Sequence, residues 1–461
     1  CSVAAPLTAG LAHKHFGVGR FAAGLQCMES PQSDAALIMT IPSPPRSTLD
    51  DGCCLQAIGV AEGLLACLGV PLCLLPAALC RSGCCMASPP EGSNRRMEMT
   101  MSIGRIVARY GLGAIRINRA TIQLIRFCLD VPLGYPRCCQ PPICSCANWV
   151  DAVHTDADVA AGVPPCDWLL PHVSEDGPTR GWRPSTASSW QPAGGCVSKW
   201  LEDERVPVIL YLHGGGYVFC TLHSHRDFMS RLVYHTGAAL LAVDYRRAPE
   251  ATFPVPVNDC LAAYRWLVAV RAVPPERIVI AGDSAGGALT ISTAAAARDQ
   301  GLPMPAGLLA LSPWSDLADN DSSPSWRSQR DFLPPALVQQ MARAYAGAAS
   351  EMEASACNVD LHGFPRTLIV SGESEIFYSQ ICRLQHKLER AGVEVTHHHA
   401  PSMGHVFVVL GLPFGCPAAA KAMDAMATHV AETTNLPPIC AGPGGPSGLV
   451  PLQSGTSRVT K

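Results

Sequence analysis

The stretch that decides the fold is RIVIAGDSAGGALTISTAAAAR, residues 277–298, in which an apolar run leads through a glycine-rich turn into an alanine-rich segment. The apolar run 278–280 is typical of a buried strand, and the segment 285–298 is typical of a helix. The turn between them fits the pattern G-x-S-x-G and reads Gly282-Asp283-Ser284-Ala285-Gly286. Such a turn bends tightly and holds the serine hydroxyl at the helix N-terminus. The pattern alone is weak, but this context predicts Ser284 as a nucleophile.

Four further apolar runs resemble this strand because they are short and end at turn residues. They are 206–212, 238–243, 306–311 and 366–370. Longer segments with helical periodicity lie between them, for example 258–270. Buried strands that alternate with helices indicate a mostly parallel sheet with helices on both faces. We therefore predict an α/β fold.

A second glycine-rich motif, His213-Gly214-Gly215-Gly216, directly follows the first of these runs. Adjacent glycines let backbone N–H groups approach a ligand closely, which an oxyanion hole requires. The same residues could form a flexible turn or a phosphate-binding loop. A P-loop would need Gly-Lys-Ser/Thr, and a dinucleotide site would need G-x-G-x-x-G opening a helix. Neither spacing is present, so the motif favours an oxyanion hole.

A nucleophilic serine needs a base, and the base needs an acid that orients it. The run 366–370 is followed by two candidate acids, Glu373 and Glu375, and thirty residues after Glu375 comes His405. Serine, acid, histidine is the order of these groups in α/β-hydrolases. Both segments follow candidate strands, and ligand sites form where parallel strands end.

Together these motifs closely resemble the hormone-sensitive-lipase group of α/β-hydrolases, the carboxylesterases with HGGG and GDSAG motifs. The similarity extends over roughly residues 206–433, about half of the chain, and includes DYRRAPE at 244–250 and SPWSD at 312–316. The resemblance implies the α/β-hydrolase fold, with a mostly parallel central sheet, helices on both faces and an N-terminal helical cap.

The resemblance also implies roles for individual residues. Ser284 is then the nucleophile, His405 the general base, and the N–H groups of Gly215, Gly216 and Ala285 form the oxyanion hole. The motifs contain four supporting residues, which are His213, Gly214, Asp283 and Gly286. The family usually has aspartate where Glu375 stands. We predict Glu375 as the acid because its offset from Gly372 matches the family loop, and Glu373 is the competing carboxylate.

Other histidines are rival bases or metal ligands. His397, His398 and His399 are consecutive, and alternate residues of an extended segment point to opposite faces, so only two could converge. We predict that they are exposed histidines of an edge strand. His223 and His225, just beyond the glycine-rich loop, are predicted at the surface or at a pocket rim.

Composition excludes several functions. The chain has 461 residues, of which 34 are basic and 37 acidic, and the net charge of -3 gives no global field that attracts nucleic acid. Sixteen of the 22 cysteines lie in the first 200 residues, in a chain far longer than a small disulfide scaffold. The crowded cysteines at 138–146 lack the paired spacing of a zinc module. We predict no metal, no cofactor and no nucleic-acid partner.

The motifs, together with the composition of the chain on either side of them, divide the sequence into four regions. These are a low-order region 1–96, a helical cap and irregular connection 97–200, the catalytic domain 201–435 and a disordered tail 436–461. The uncharged apolar stretch 63–80 is long enough to be a candidate membrane span, although two internal prolines weaken it and a poorly ordered tail is the alternative.

A second stretch, 102–129, has a basic amphipathic pattern. It predicts a helix that lies on a membrane or packs on its own domain. Acidic residues precede 63–80 and arginines follow it, so the catalytic domain would face the cytosol if the stretch spans a membrane. The predicted location is therefore cytoplasmic, or membrane-anchored on the cytosolic side.

The predicted reaction is hydrolysis of a small-molecule ester that has an apolar acyl or alcohol part. Two alternatives remain. One is amide or formamide hydrolysis, as in the arylformamidases that share the scaffold. The other is a non-catalytic ligand binder, as the gibberellin receptors resemble, which the presence of Ser284, His405 and a carboxylate disfavours. The sequence makes no prediction about oligomeric state.

Overall fold

The apolar runs of the sequence form one central sheet in the computed structural model, which describes residues 92–94, 122–123, 147–151, 156–171, 197–319 and 330–436. Within those ranges the sheet has eight strands. They are β1 Ala147–Asp151, β2 Cys166–Pro171, β3 Val208–Leu212, β4 Ala239–Val243, β5 Ile278–Asp283, β6 Gly307–Leu311, β7 Thr367–Gly372 and β8 Val395–Ala400. The five predicted strands correspond to β3 through β7.

Helices occupy the connections between the strands. Their bounds are α1 Asp156–Ala160, α2 Val197–Glu202, α3 Arg226–Thr236, α4 Val255–Ala269, α5 Ala285–Asp299, α6 Pro335–Ala346, α7 Tyr378–Arg390, α8 Phe407–Gly411 and α9 Pro417–Thr434. The two helical segments predicted from the sequence, 258–270 and 285–298, correspond to α4 and α5 and differ from them by at most a few residues at each end.

The strand order is β1-β2-β4-β3-β5-β6-β7-β8. From β3 to β8 neighbouring strands are parallel, whereas β2 pairs antiparallel with both β1 and β4. Since parallel strands end at the same edge of a sheet, the loops that follow β3, β5, β7 and β8 can meet there. The predicted α/β fold with a mostly parallel sheet is confirmed.

Alternate residues of the central strands belong to different hydrophobic layers. In β3, Leu210 lies in one cluster with residues of α4, α5 and α7, and Tyr211 lies in the other with residues of α3 and α9. This is the period-two alternation of a strand. Every residue of β3, β5 and β7 is buried, as expected of a parallel sheet covered on both faces.

The stretch 130–200 differs from the irregular chain that its composition predicts. It contains β1, α1, β2 and the start of α2. Trp168 of β2 lies opposite Leu241 of β4 and is almost completely buried. The extended conformation of β2 therefore depends on pairing with a strand about seventy residues away, which the local content of proline, glycine and cysteine does not reveal.

Two described residues fall within the amphipathic stretch 102–129. Ile122 is fully buried in the cluster that contains Leu210, and Gln123 Nε2 donates to Glu250 Oε1 at 3.3 Å. These contacts favour packing on the protein's own domain. The candidate span 63–80, most of the predicted cap and the tail beyond residue 436 lie outside the described residues. Among the described helices, none combines the length and the apolar character needed to cross a membrane.

Candidate active site

Ser284 stands at the turn between β5 and α5, with φ 54° and ψ -117°. A positive φ is strained for a residue with a side chain, and it persists only where neighbouring structure holds it. Here the Ser284 N–H donates to the Leu311 carbonyl at 2.7 Å, and the Ser284 carbonyl accepts from the Trp314 N–H at 3.0 Å. The end of β6 therefore fixes the strained turn.

Gly286 is required by the close approach of α5 to β3. A Cβ atom at this position would overlap the carbonyl oxygens of Leu212 and His213. The second glycine of the G-x-S-x-G pattern thus lets the helix start directly against the neighbouring strand.

The structure brings the candidate nucleophile, base and acid into one hydrogen-bonded chain. The Ser284 hydroxyl lies 2.8 Å from His405 Nε2, and His405 Nδ1 lies 3.1 Å from Glu375 Oε2. With Glu375 ionised, the Nδ1–H donates to the carboxylate, and Nε2 is left to accept from the serine. The exposed fractions of the three residues are 7%, 2% and 0%.

The two candidate acids have different surroundings. Glu375 is buried against His405, whereas Glu373 lies at the surface and its Oε1 is 2.7 Å from Nδ1 of His399. The geometry therefore joins Glu375, and not Glu373, to His405.

The loops that carry Glu375 and His405 are tied together by backbone hydrogen bonds. The Glu373 N–H donates to the Ala400 carbonyl at 3.0 Å, and the Ser374 N–H donates to the Met403 carbonyl at 2.9 Å. In addition, the hydroxyl of Ser312 accepts from the Val406 N–H at 3.1 Å. The position of the imidazole is thus set by contacts to the loops after β6 and β7.

Apolar surroundings keep His405 neutral. The rings of Phe377 and Phe332 lie 4.9 and 6.0 Å from its ring. Burial disfavours the charged imidazolium and lowers the pKa of His405 below its ordinary value. The negative charges of Asp331 and Asp283 raise this pKa, but they do not fully offset the effect of burial. At neutral pH the imidazole is therefore free to accept a proton.

The predicted oxyanion residues lie on the loop after β3 and at the first residue of α5. Gly215 has φ 112°, which favours glycine, and its carbonyl accepts from the Phe219 N–H at 2.8 Å. The N–H of Gly214 is bonded to Asp283. Among the described residues, no acceptor is bonded to the N–H groups of Gly215, Gly216 or Ala285. Three backbone donors are thus available beside the turn that carries Ser284.

Behind this loop lies a buried ion pair. Asp283 accepts hydrogen bonds from the Tyr211 hydroxyl at 2.6 Å, from the Gly214 N–H at 2.9 Å and from His225 Nε2 at 3.3 Å. Burial tends to raise the pKa of Asp283 and to lower that of His225, but their mutual attraction outweighs burial and shifts both the other way. The pair holds the glycine-rich loop from behind.

The position of His225 corrects a prediction. This residue was expected at the surface or at a pocket rim, and the structure buries it. A short 3₁₀ turn over Leu222–His225 directs the ring inward to Asp283, 58 residues along the chain. His223, in contrast, is exposed as predicted.

His213 supports the loop without carrying a charge. Burial, followed by the repulsion from His225, lowers the pKa of His213 to about 3. Its ring stacks on Tyr245 at 4.4 Å, and the Tyr245 hydroxyl donates to the His213 carbonyl at 2.7 Å. The DYRRAPE motif thus braces the loop through Tyr245.

The three consecutive histidines lie on β8, at the edge of the described sheet. His399 is exposed, as predicted, whereas His397 and His398 are half-buried. His397 contacts the Ser371 hydroxyl at 2.7 Å and Gln385 Oε1 at 2.8 Å. In the part of the chain that the structure describes, no group of three or more ligating side chains is arranged to hold a metal ion.

Sequence reasoning missed Asp331, a buried carboxylate close to His405. It lies outside every motif. Its contact is with Ile376, 45 residues away, on the loop after β7 that carries Glu375, the acid loop. No local pattern in the sequence could have indicated it.

Comparisons with known proteins identify the family of this chain. A family model described as alpha/beta hydrolase fold matches residues 209–409. An acetyl-hydrolase of Streptomyces hygroscopicus is 39% identical over 219 residues, which cover 46% of this chain and 73% of that protein. The chain belongs to the α/β-hydrolase fold family. Within it, this hydrolase is of the hormone-sensitive-lipase group and of the carboxylesterase type, as the motifs predict.

Two further proteins, both named hormone-sensitive lipase, are also similar to this chain. Human hormone-sensitive lipase is 35% identical over 160 residues, 33% of this chain but 15% of that much longer protein. The crystal structure of a hormone-sensitive lipase from a metagenome library is 29% identical, with a TM-score of 0.58, and the match covers 73% of this chain and 98% of that one.

Proposed function

We propose that this hydrolase cleaves small-molecule carboxylic esters with Ser284 as nucleophile, His405 as general base and Glu375 as the orienting acid. The observation that carries the proposal is the buried chain from the Ser284 hydroxyl through both ring nitrogens of His405 to Glu375. A serine that is hydrogen-bonded to a neutral, oriented histidine is an activated nucleophile.

In the acylation step, His405 Nε2 takes the proton of Ser284 as the oxygen attacks the ester carbonyl carbon. Glu375 accepts the hydrogen bond from Nδ1–H throughout, and it stabilises the imidazolium that forms. The imidazolium then gives its proton to the leaving alcohol. Water attacks the acyl-serine by the same route, and it releases the acid and restores the serine.

The tetrahedral oxyanion would be bound by the N–H groups of Gly215, Gly216 and Ala285. A single oxyanion donor is typically worth about 3–4 kcal/mol of transition-state stabilisation. The buried pair of Asp283 and His225 supports this arrangement because it fixes the loop before any substrate binds. Fixed donors need no reorganisation when charge develops.

The names of two relatives support a substrate class. One is named acetyl-hydrolase, and another, from Mycobacterium tuberculosis, is named esterase; it is 31% identical over 235 residues, covering 49% of this chain and 78% of that protein. We infer that this hydrolase acts on esters with a short acyl group and an apolar part.

The direct test is hydrolysis of p-nitrophenyl acetate and butyrate by the wild type, Ser284→Ala and Ser230→Ala. Ser230 is a matched control because it is a buried serine of α3 whose hydroxyl donates to the Arg226 carbonyl. We expect Ser284→Ala to lose turnover by about a millionfold and Ser230→Ala to keep it. Undiminished turnover in Ser284→Ala contradicts the proposal.

A further inference from the structure

A third carboxylate, Asp331, lies beside the acid and the base. It is 3% exposed and stands on the segment that leads into α6. Burying a carboxylate is costly unless hydrogen bonds or charges compensate it, so its presence next to His405 requires an explanation.

Asp331 links two segments that are distant along the chain. Its Oδ2 accepts from the N–H of Ile376, the residue directly after Glu375, at 2.7 Å. Its Oδ1 accepts from the N–H of Phe332 at 2.7 Å, and the Phe332 ring lies against His405. One carboxylate thus holds the backbone next to the acid and the backbone of an aromatic residue beside the base.

The charged groups around Asp331 are His405, on the loop after β8, and Glu375, on the loop after β7. The net pKa of Asp331 is raised to about 6, first by burial and also by the negative charge of Glu375. His405 and the hydrogen bonds from the N–H groups of Ile376 and Phe332 act in the opposite direction. In return, Asp331 raises the pKa of His405, and Asp283 at the end of β5 acts in the same direction. The buried base therefore has one carboxylate in direct contact, that of Glu375, and two others, Asp331 and Asp283, that act on it through space.

We propose that Asp331 is a positioning residue of the active site, which holds the acid loop through Ile376 so that Glu375 meets His405, and which adds negative charge beside the imidazole. This inference rests on the proposed function. An acid with one more methylene than the usual aspartate has an additional rotatable bond, so its loop needs a fixed backbone to keep the carboxylate in place.

The alternative is a structural role, in which Asp331 only anchors the start of α6. That role predicts lower stability without any change in protonation of the base. The proposal predicts a change in the pH profile, since loss of the charge lowers the pKa of His405 and removes the titration of Asp331 itself.

The test measures kcat, KM and the pH profile of kcat/KM for the wild type, Asp331→Asn, Asp331→Glu and Glu373→Gln. For Asp331→Asn we expect kcat to fall about 10- to 100-fold, with KM within about twofold. The acid limb of its kcat/KM profile should move to lower pH, because the negative charge that raises the pKa of His405 is lost. Asp331→Glu retains the charge, so its acid limb should stay near that of the wild type while kcat falls.

Glu373→Gln is the matched control. It removes a carboxylate from the loop that carries Glu375, two residues away, but the Glu373 side chain reaches solvent and pairs with His399. We expect wild-type kcat and pH profile in this variant. The inference is overturned if folded Asp331→Asn has the wild-type kcat and acid limb, or if Glu373→Gln shifts the limb equally.

If Asp331→Asn does not fold, Asp331→Glu decides: wild-type kcat in that variant overturns the inference. These outcomes are separate from the proposed nucleophile, which is tested by the turnover of Ser284→Ala.

Discussion

The two sides of the active site use buried charge differently. On the oxyanion side, which comprises residues 213–216 with Asp283 and His225, the charges stand behind the backbone donors and hold the loop. On the histidine side, which comprises Glu375, His405 and Asp331, the carboxylates act on the base itself. Substitutions on the oxyanion side should therefore act mainly through shape and stability, and those on the histidine side mainly through protonation of the base.

Among the substitutions that compare the two sides, the largest effect should follow loss of the acid. Glu375→Gln keeps the shape of the side chain but removes the charge that stabilises the imidazolium and fixes its tautomer. We expect kcat to fall by about 10⁴-fold, as happens when the acid of such a triad is amidated. Steady-state kinetics on p-nitrophenyl butyrate measures this. A loss below tenfold would show that another group orients His405.

The next largest effect should follow a change in shape on the oxyanion side. In Gly215→Ala, a Cβ would overlap the Phe219 carbonyl, and φ of 112° is strained for alanine. Displacement of one donor should lower kcat by about 10²- to 10³-fold.

Gly301→Ala is the control for that change. Gly301 also has a positive φ, but nothing lies within 4 Å of its added Cβ. This variant should lose only about 1–2 kcal/mol of stability and keep its kcat. Equal kinetic losses in both variants would contradict a specific role for the loop.

A smaller effect should follow from breaking the ion pair behind the loop. His225→Gln leaves Asp283 buried without its charged partner, which should cost about 3–5 kcal/mol of unfolding free energy, measured by urea denaturation at pH 6.

The pH dependence of that stability has a defined sign. The pKa of His225 is raised in the folded state, so its contribution is present below the ordinary histidine pKa and is lost as pH rises through the raised value. The pKa of Asp283 is lowered, so its contribution is lost as pH falls through that lowered value. Wild-type stability should thus decrease above about pH 6.5, and His225→Gln should lack this decrease. Parallel curves would disprove the ion pair.

The smallest effect should come from the exposed pair of Glu373 and His399. Its atoms are 2.7 Å apart, but both side chains reach solvent. Such pairs contribute about 0–1 kcal/mol, so Glu373→Gln should change the urea midpoint very little. A loss comparable to that of His225→Gln would remove the distinction between buried and exposed charge.

What the sequence predicted corresponds to contacts that are local along the chain. The turn around Ser284 and the loop at 213–216 each span only a few consecutive residues, so their motifs can be recognised in the sequence. The strands β3 to β7 were predictable because they are buried on both faces and read as continuous apolar runs.

What the sequence did not predict depends on distant partners. The strand β2 is extended because it pairs with β4, and His225 is buried because it meets Asp283. Asp331 belongs to the site through Ile376, 45 residues away. The preference for Glu375 over Glu373 comes from the resemblance to the family loop, because a two-residue spacing does not by itself reveal which of them is buried.

The most direct test of the central claim is the site of covalent labelling by a fluorophosphonate, read by peptide mass mapping of the folded protein. We predict one adduct per chain, on Ser284, with labelling slowed in Glu375→Gln and unchanged in Glu373→Gln. An unlabelled Ser284 in folded wild-type protein, or an adduct on another residue, would contradict the account.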